Sequence, residues 1–89
     1  MTLDYYLQRL VDRGFSFRED AVGFIYFGKQ SSNLPEEVII AAIEATIKSH
    51  YSFDSSYYLS LLDLFQSMGV QTRMQAIQVF ERETNYKIS

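Results

Sequence analysis

The segment Val38–Ile47 constrains this chain more than any other. Wound into a helix, it places Ile39, Ile43 and Ile47 along one face, and Ile40 with Ala41, Ala42 and Ala45 covers much of the rest. A helix that is apolar on most sides has to be surrounded by other elements. In a chain of 89 residues, that requires the remaining segments to pack around it as one domain. The alanines allow close helix approach. The start of the segment carries the right signals: Asn33 as cap, Pro35 in the first turn, and Glu36 and Glu37 at the positive end of the dipole. The spacing predicts a helix over 34–49.

The flanking segments read as partners for this helix. Over 3–13, Leu3, Tyr6, Leu7, Leu10 and Val11 form one apolar stripe, with Thr2 as cap and Gly14 as stop. Over 55–68, Tyr58, Leu61, Leu62, Phe65 and Met68 form an inner stripe, widened by Leu59 and Leu64. Asp54 or Ser55 opens that helix and Gly69 ends it. Over 73–83, Thr72 and Gln75 have the spacing of a capping box. There Met74, Ile77 and Phe80 lie on one side, with Ala76 and Val79 beside them. Residues 85–89 are expected to fray.

The segment 17–29 is harder to assign. Ser16 and Glu19 have capping-box spacing and predict a helix start. Phe24-Ile25-Tyr26-Phe27 favours β structure on propensity. Residues 21–28 therefore read as helix or strand, and helix is preferred because no second segment of comparable β character exists to pair with a strand. The fold expected is all-α: a compact bundle of about five helices in a single domain.

Composition bounds the function. Hydrophobic residues make up 47% and charged residues 21%, as in ordinary globular proteins. The net charge is −3. The eight basic residues, Arg9, Arg13, Arg18, Lys29, Lys48, Arg73, Arg82 and Lys87, are scattered singly, which disfavours nucleic acid as partner. The absence of cysteine excludes disulfides and thiolate metal sites. The N-terminus lacks the layout of a signal peptide and no run of 18 apolar residues occurs. A cytoplasmic location and no membrane association are expected.

Several stretches carry the look of chemistry. Gly23-Phe24-Ile25-Tyr26-Phe27-Gly28-Lys29 has the G-x-x-x-x-G-K spacing of a phosphate loop. The residue after Lys29 is Gln30, a poor magnesium ligand, and four large apolar residues would have to face solvent in such a loop. The segment reads instead as core, with Gly23 allowing a close crossing and Lys29 reaching solvent. His50 is the only histidine and has no second ligand or base partner nearby, so it reads as a helix-end residue. Glu36-Glu37 and Glu81/Glu83 read as solvated charges, and Ser52, Ser55 and Ser56 as turn and cap residues. No catalytic residue, cofactor site or metal site is expected, and the chain does not read as an enzyme.

Two resemblances bear on function. Phe65–Thr72 resembles the turn of a helix-turn-helix unit, which implies DNA binding through residues 55–83, with Arg73, Gln75 and Gln78 presented to base edges. Gln75 and Gln78 stand where that pattern places apolar residues. Gly23–Lys29 and Leu34–Ile43 resemble short uncharacterised proteins of Gram-positive bacteria, which implies a bacterial origin and no particular activity. The favoured expectation is a small protein–protein interaction or regulatory module, binding an unknown partner or itself as a homodimer. Tyr5, Tyr51, Tyr57, Leu59 and Leu64 lie off the main stripes and are the candidate contact residues.

Overall fold

The computed structural model describes residues 1–85. Five helices follow one another: α1 (Leu3–Asp12), α2 (Ala21–Ser32), α3 (Glu36–His50), α4 (Ser55–Ser67) and α5 (Arg73–Thr84). No strand occurs among the described residues. The tail expected to fray lies, beyond Asn85, outside them. No helix among the described residues is long and apolar enough to cross a membrane.

α3 is the axis of a single globule. It packs against each of the other four helices, and Val38, Ile39, Ala42, Ile43 and Thr46 are fully enclosed. Each buried isoleucine contributes about 1.5–3 kcal/mol relative to an exposed one. The Thr46 hydroxyl, enclosed with them, donates to Ala42 O at 2.7 Å, so no donor is left unpaired. Around α3, α2 packs on α4 and α4 on α5, whereas the backbone of α1 runs close to that of α3 alone and reaches α2 only through side chains. α1 and α5 do not approach each other.

Three helices begin as their cap residues dictate. Thr2 Oγ1 accepts from Tyr5 N–H at 3.2 Å, Asp54 Oδ1 from Tyr57 N–H at 3.1 Å, and Thr72 Oγ1 from Gln75 N–H at 3.1 Å. The reciprocal bond of the last cap is displaced by one residue, because Gln75 Oε1 accepts from Gln71 N–H at 2.8 Å. α2 departs from expectation. It starts at Ala21, behind an Asp20 whose side chain makes no cap bond, and the Ser16–Glu19 box does not form. Residues 15–18 are irregular, and Phe17 meets Phe15 edge-on at 4.8 Å and Phe53 at 5.9 Å. The aromatic cluster outweighs a cap bond of about 1 kcal/mol.

The 21–28 segment is helix, and α2 runs on to Ser32. Asn33, expected to cap α3, instead closes α2 in the left-handed region at φ 56°. α3 then begins behind Pro35 and ends on Tyr51 at φ 60°, a conformation uncommon for a bulky residue.

Burial corrects several assignments of face. In α1, exposure rises along the helix: Leu3 is enclosed, Leu7 nearly so, Leu10 half-buried and Val11 51% exposed. Val11 therefore leaves the stripe. Met68 lies outside α4 as its C-cap and is exposed. In α5 the inward residues are Ala76, Val79 and Phe80, Met74 points outward, and Ile77 is half-buried. In α2, Ile25 is enclosed while Phe24 and Phe27 are exposed. The close crossing occurs at Gly28, not Gly23. A Cβ on Gly28 would stand 2.6 Å from Leu62 Cδ1 and 2.9 Å from the Tyr58 ring, whereas Gly23 faces open space. Tyr58 lies across α2 at this point, and its hydroxyl donates to Ile25 O at 2.8 Å.

Candidate functional site

Gly23–Lys29 lies wholly within α2. Its backbone N–H groups are committed to a helix and form no phosphate cradle. His50 is the last residue of α3 and is exposed. Its ring meets Tyr57 edge-on at 4.3 Å. No group of three His, Asp or Glu side chains able to hold a metal occurs among the described residues.

Glu36 and Glu37 are not simply solvated. Glu36 Oε1 accepts from Leu3 N–H at 2.6 Å, and Glu37 Oε2 accepts from Arg73 N–H at 3.0 Å. Consecutive helical residues point about 100° apart, so one turn of α3 sends a carboxylate to the N-terminus of α1 and another to that of α5. Each meets unsatisfied N–H groups at the positive end of a helix. Lys29 Nζ also approaches Glu36 at 3.9 Å. On the same side of the molecule the Tyr26 hydroxyl donates to the Asp4 carboxylate. That bond, with some desolvation, pushes the phenol up to about 12. Local sequence held no signal for the helix-end bonds of Glu36 and Glu37, because the N–H donors are more than thirty residues away in the chain.

One candidate surface is the outer face of α2 and α4. Phe24 and Phe27, spaced to share a side of α2, are 39% and 59% exposed. Leu59 of α4 lines two grooves there. The larger, of 580 Å³, runs past Phe24 toward Phe53 and Ser55. The smaller, of 310 Å³, runs past Phe27 toward Leu62 and Gln66. Of the five residues singled out from sequence, the other four line neither groove. Tyr57 is half-buried against His50, and Tyr51 beside them is 89% exposed. Tyr5 stands exposed on α1 with the Arg9 guanidinium 5.8 Å from its ring centre. Leu64 is half-buried against the core.

A second surface lies where α1 and α5 leave α3 uncovered. Glu37, Ile40, Glu44, Ile47 and Lys48 share a side of α3 and face a groove of 520 Å³. Tyr6, Leu10 and Arg13 of α1 form one wall, and Arg73 stands at the start of α5. A recess of 150 Å³ adjoins it beside Arg9. Basic residues that are scattered in sequence are thus gathered in space. Glu44 joins two of them, to Arg73 Nη2 at 2.6 Å and to Lys48 Nζ at 3.4 Å. Burial, and secondarily the Glu44 charge, push the Tyr6 phenol up to about 12, while Arg73 and Arg13 pull it down. The hydroxyl therefore lies within the field of all three groups and remains a neutral donor at ordinary pH.

Residues 1–85 match a family of unknown function, DUF6123. The chain belongs to that family. No curated protein and no solved structure matches it. The described residues of this DUF6123 member offer an aromatic ridge on α2–α4 and a charged, apolar-floored groove on α3. Of the helix-turn-helix positions, Arg73 is held by Glu44, Gln75 by the Gln71 amide, and Gln78 is exposed.

Proposed function

We propose that the protein is a small protein–protein interaction or regulatory module without catalytic activity. The proposal places it in the cytoplasm of a bacterium, as the resemblance to short Gram-positive proteins implies. The observation that carries it is the α2–α4 ridge. Phe24 and Phe27 stand outward, on either side of Leu59. Neighbouring exposed aromatics of this kind are typical anchors of contact surfaces. Tyr51 adds support: a tyrosine 89% exposed in the left-handed region contributes little to the fold.

Self-association is the first form to test. Light scattering across a concentration series is expected to report a dimer that the double substitution Phe24→Ser, Phe27→Ser returns to monomer. A wild-type monomer at high micromolar concentration would remove the homodimer. Affinity capture with both baits then decides the rest. A species held by the wild type and lost by the double variant supports a heterologous partner, and no difference between baits sinks the ridge as a contact surface.

DNA binding through residues 55–83 is the second reading. It has less support, because Glu37 and Glu44 stand against the start of α5 where a phosphate would approach. Absence of a gel shift at low salt, where phosphate contacts are strongest, would end it.

A further inference from the structure

We infer that the groove between α1 and α5 binds a free monocarboxylate with an apolar body, the class of a medium-chain fatty acid, with its head on Arg13. This goes beyond the interaction reading and uses a different face of the molecule.

The charges of the lining decide the head group. Among the lining side chains, Arg13, Lys48 and Arg73 oppose Glu37 and Glu44, which leaves one positive charge, with Met1 at the same opening, in a chain whose net charge is −3. Lys48 and Arg73 are both matched by Glu44, and Glu37 is occupied by the start of α5. Arg13 has no ion pair among the described residues and is exposed. Its guanidinium is a free planar fork, the geometry that takes a carboxylate through two parallel N–H donors. A cation would meet this surplus positive charge.

The floor decides the body. Leu10 and Ile47 are half-buried, and Ile40 lies beneath them at the same opening. Leu10 and Ile47 leave apolar surface at the groove that no helix of the bundle covers, above the buried Ile40. The volume, 520 Å³, falls in the range of small-ligand sites, which pair apolar lining with a few converging polar groups. The Tyr6 hydroxyl, neutral and near Arg13, supplies a further donor.

The test is calorimetric titration of decanoate, below its micelle concentration, into the wild type. Saturable binding of one decanoate per chain is expected, with shifts confined to the Leu10, Ile40 and Ile47 methyl resonances. Arg13→Gln is expected to weaken binding about tenfold, the size of a lost charge-assisted bond, with an unchanged melting temperature. Arg13→Lys is expected to recover part of the loss. Ile47→Ser, on the floor, is expected to weaken decanoate without altering the head-group preference. Decylammonium should not bind. Equal binding of decanol and decanoate, unaffected by Arg13→Gln, would overturn the proposal as mere apolar adsorption. Flotation with phosphatidylglycerol vesicles separates the free acid from a lipid surface: recruitment to vesicles without decanoate binding would also overturn it.

Discussion

The two sides of α3 are closed by different means. On the α2–α4 side, shape does the closing: Gly28 admits Tyr58 and Leu62 into contact with the α2 backbone, and Tyr58 is tied to Ile25 O. On the α1–α5 side, Leu3, Leu7, Ala76, Val79 and Phe80 are packed too, and charge is added at the helix ends. The two helices never meet, and carboxylates of α3 hold their ends while Glu44 spans toward Arg73 and Lys48. The first arrangement is intolerant of added volume. The second adds ion pairs and charged caps that salt screens. The bundle thus combines tight packing on one side of its central helix with packing and charge on the other.

That contrast can be broken most forcefully from inside α2. Ile25→Ala should cost about 2–5 kcal/mol, as an enclosed side chain, and Phe24→Ala less than about 1 kcal/mol. Urea unfolding of both variants checks the ranking, and equal losses would mean that α2 buries a different face. Gly28→Ala comes next, at about 1–3 kcal/mol from overpacking, whereas Gly23→Ala should be neutral to slightly stabilising. If Gly23→Ala proved the more damaging, the crossing would be misplaced.

The charged side should respond more weakly. Glu36→Gln and Glu37→Gln should each cost about 0.5–1.5 kcal/mol. Both losses should shrink in high salt, while the Gly28→Ala loss should not. Melting curves at two ionic strengths separate the two behaviours. Lys29→Ala, removing an exposed pair at 3.9 Å, should change stability by less than about 0.5 kcal/mol.

Alkali addresses both sides together. Tyr6 is pushed up to about 12 by burial and Glu44, and burial raises Tyr58 further. A group whose folded pKa is raised contributes stability that is complete below the ordinary tyrosine value of about 10 and is lost as pH rises through the folded value. The protein should therefore lose stability progressively above about pH 10. Ultraviolet phenolate absorbance should show Tyr6 and Tyr58 resisting ionisation above the ordinary tyrosine value until the fold is lost, and their ionisation near pH 10 in the native state would contradict the assigned burial.

The sequence made the bundle legible, and the dominance of α3 followed from its isoleucines and alanines. What stayed hidden depended on partners distant in the chain. An apolar run such as Phe24–Phe27 states that burial is available without stating which side takes it. Choosing between Gly23 and Gly28 requires knowing where Tyr58 crosses. The Ser16–Glu19 box satisfied a local rule but lost to an aromatic cluster completed by Phe53. Of the α2–α4 ridge only Leu59 was legible, and the gathering of basic residues around the α3 groove was not, because charges remote in sequence meet only once α1 and α5 are placed.

The rising exposure along α1 has a mechanical meaning. The helix is held fast at Leu3, where Glu36 and the enclosed side chain both grip it, and its hold on α3 weakens through Leu10 to Val11. The grip is firmest in the first turn and loosest beside the mouth of the groove, at Leu10 and Val11. Among amides bonded within the helix, exchange should follow the same taper, faster at Val11 and Asp12 than at Leu7.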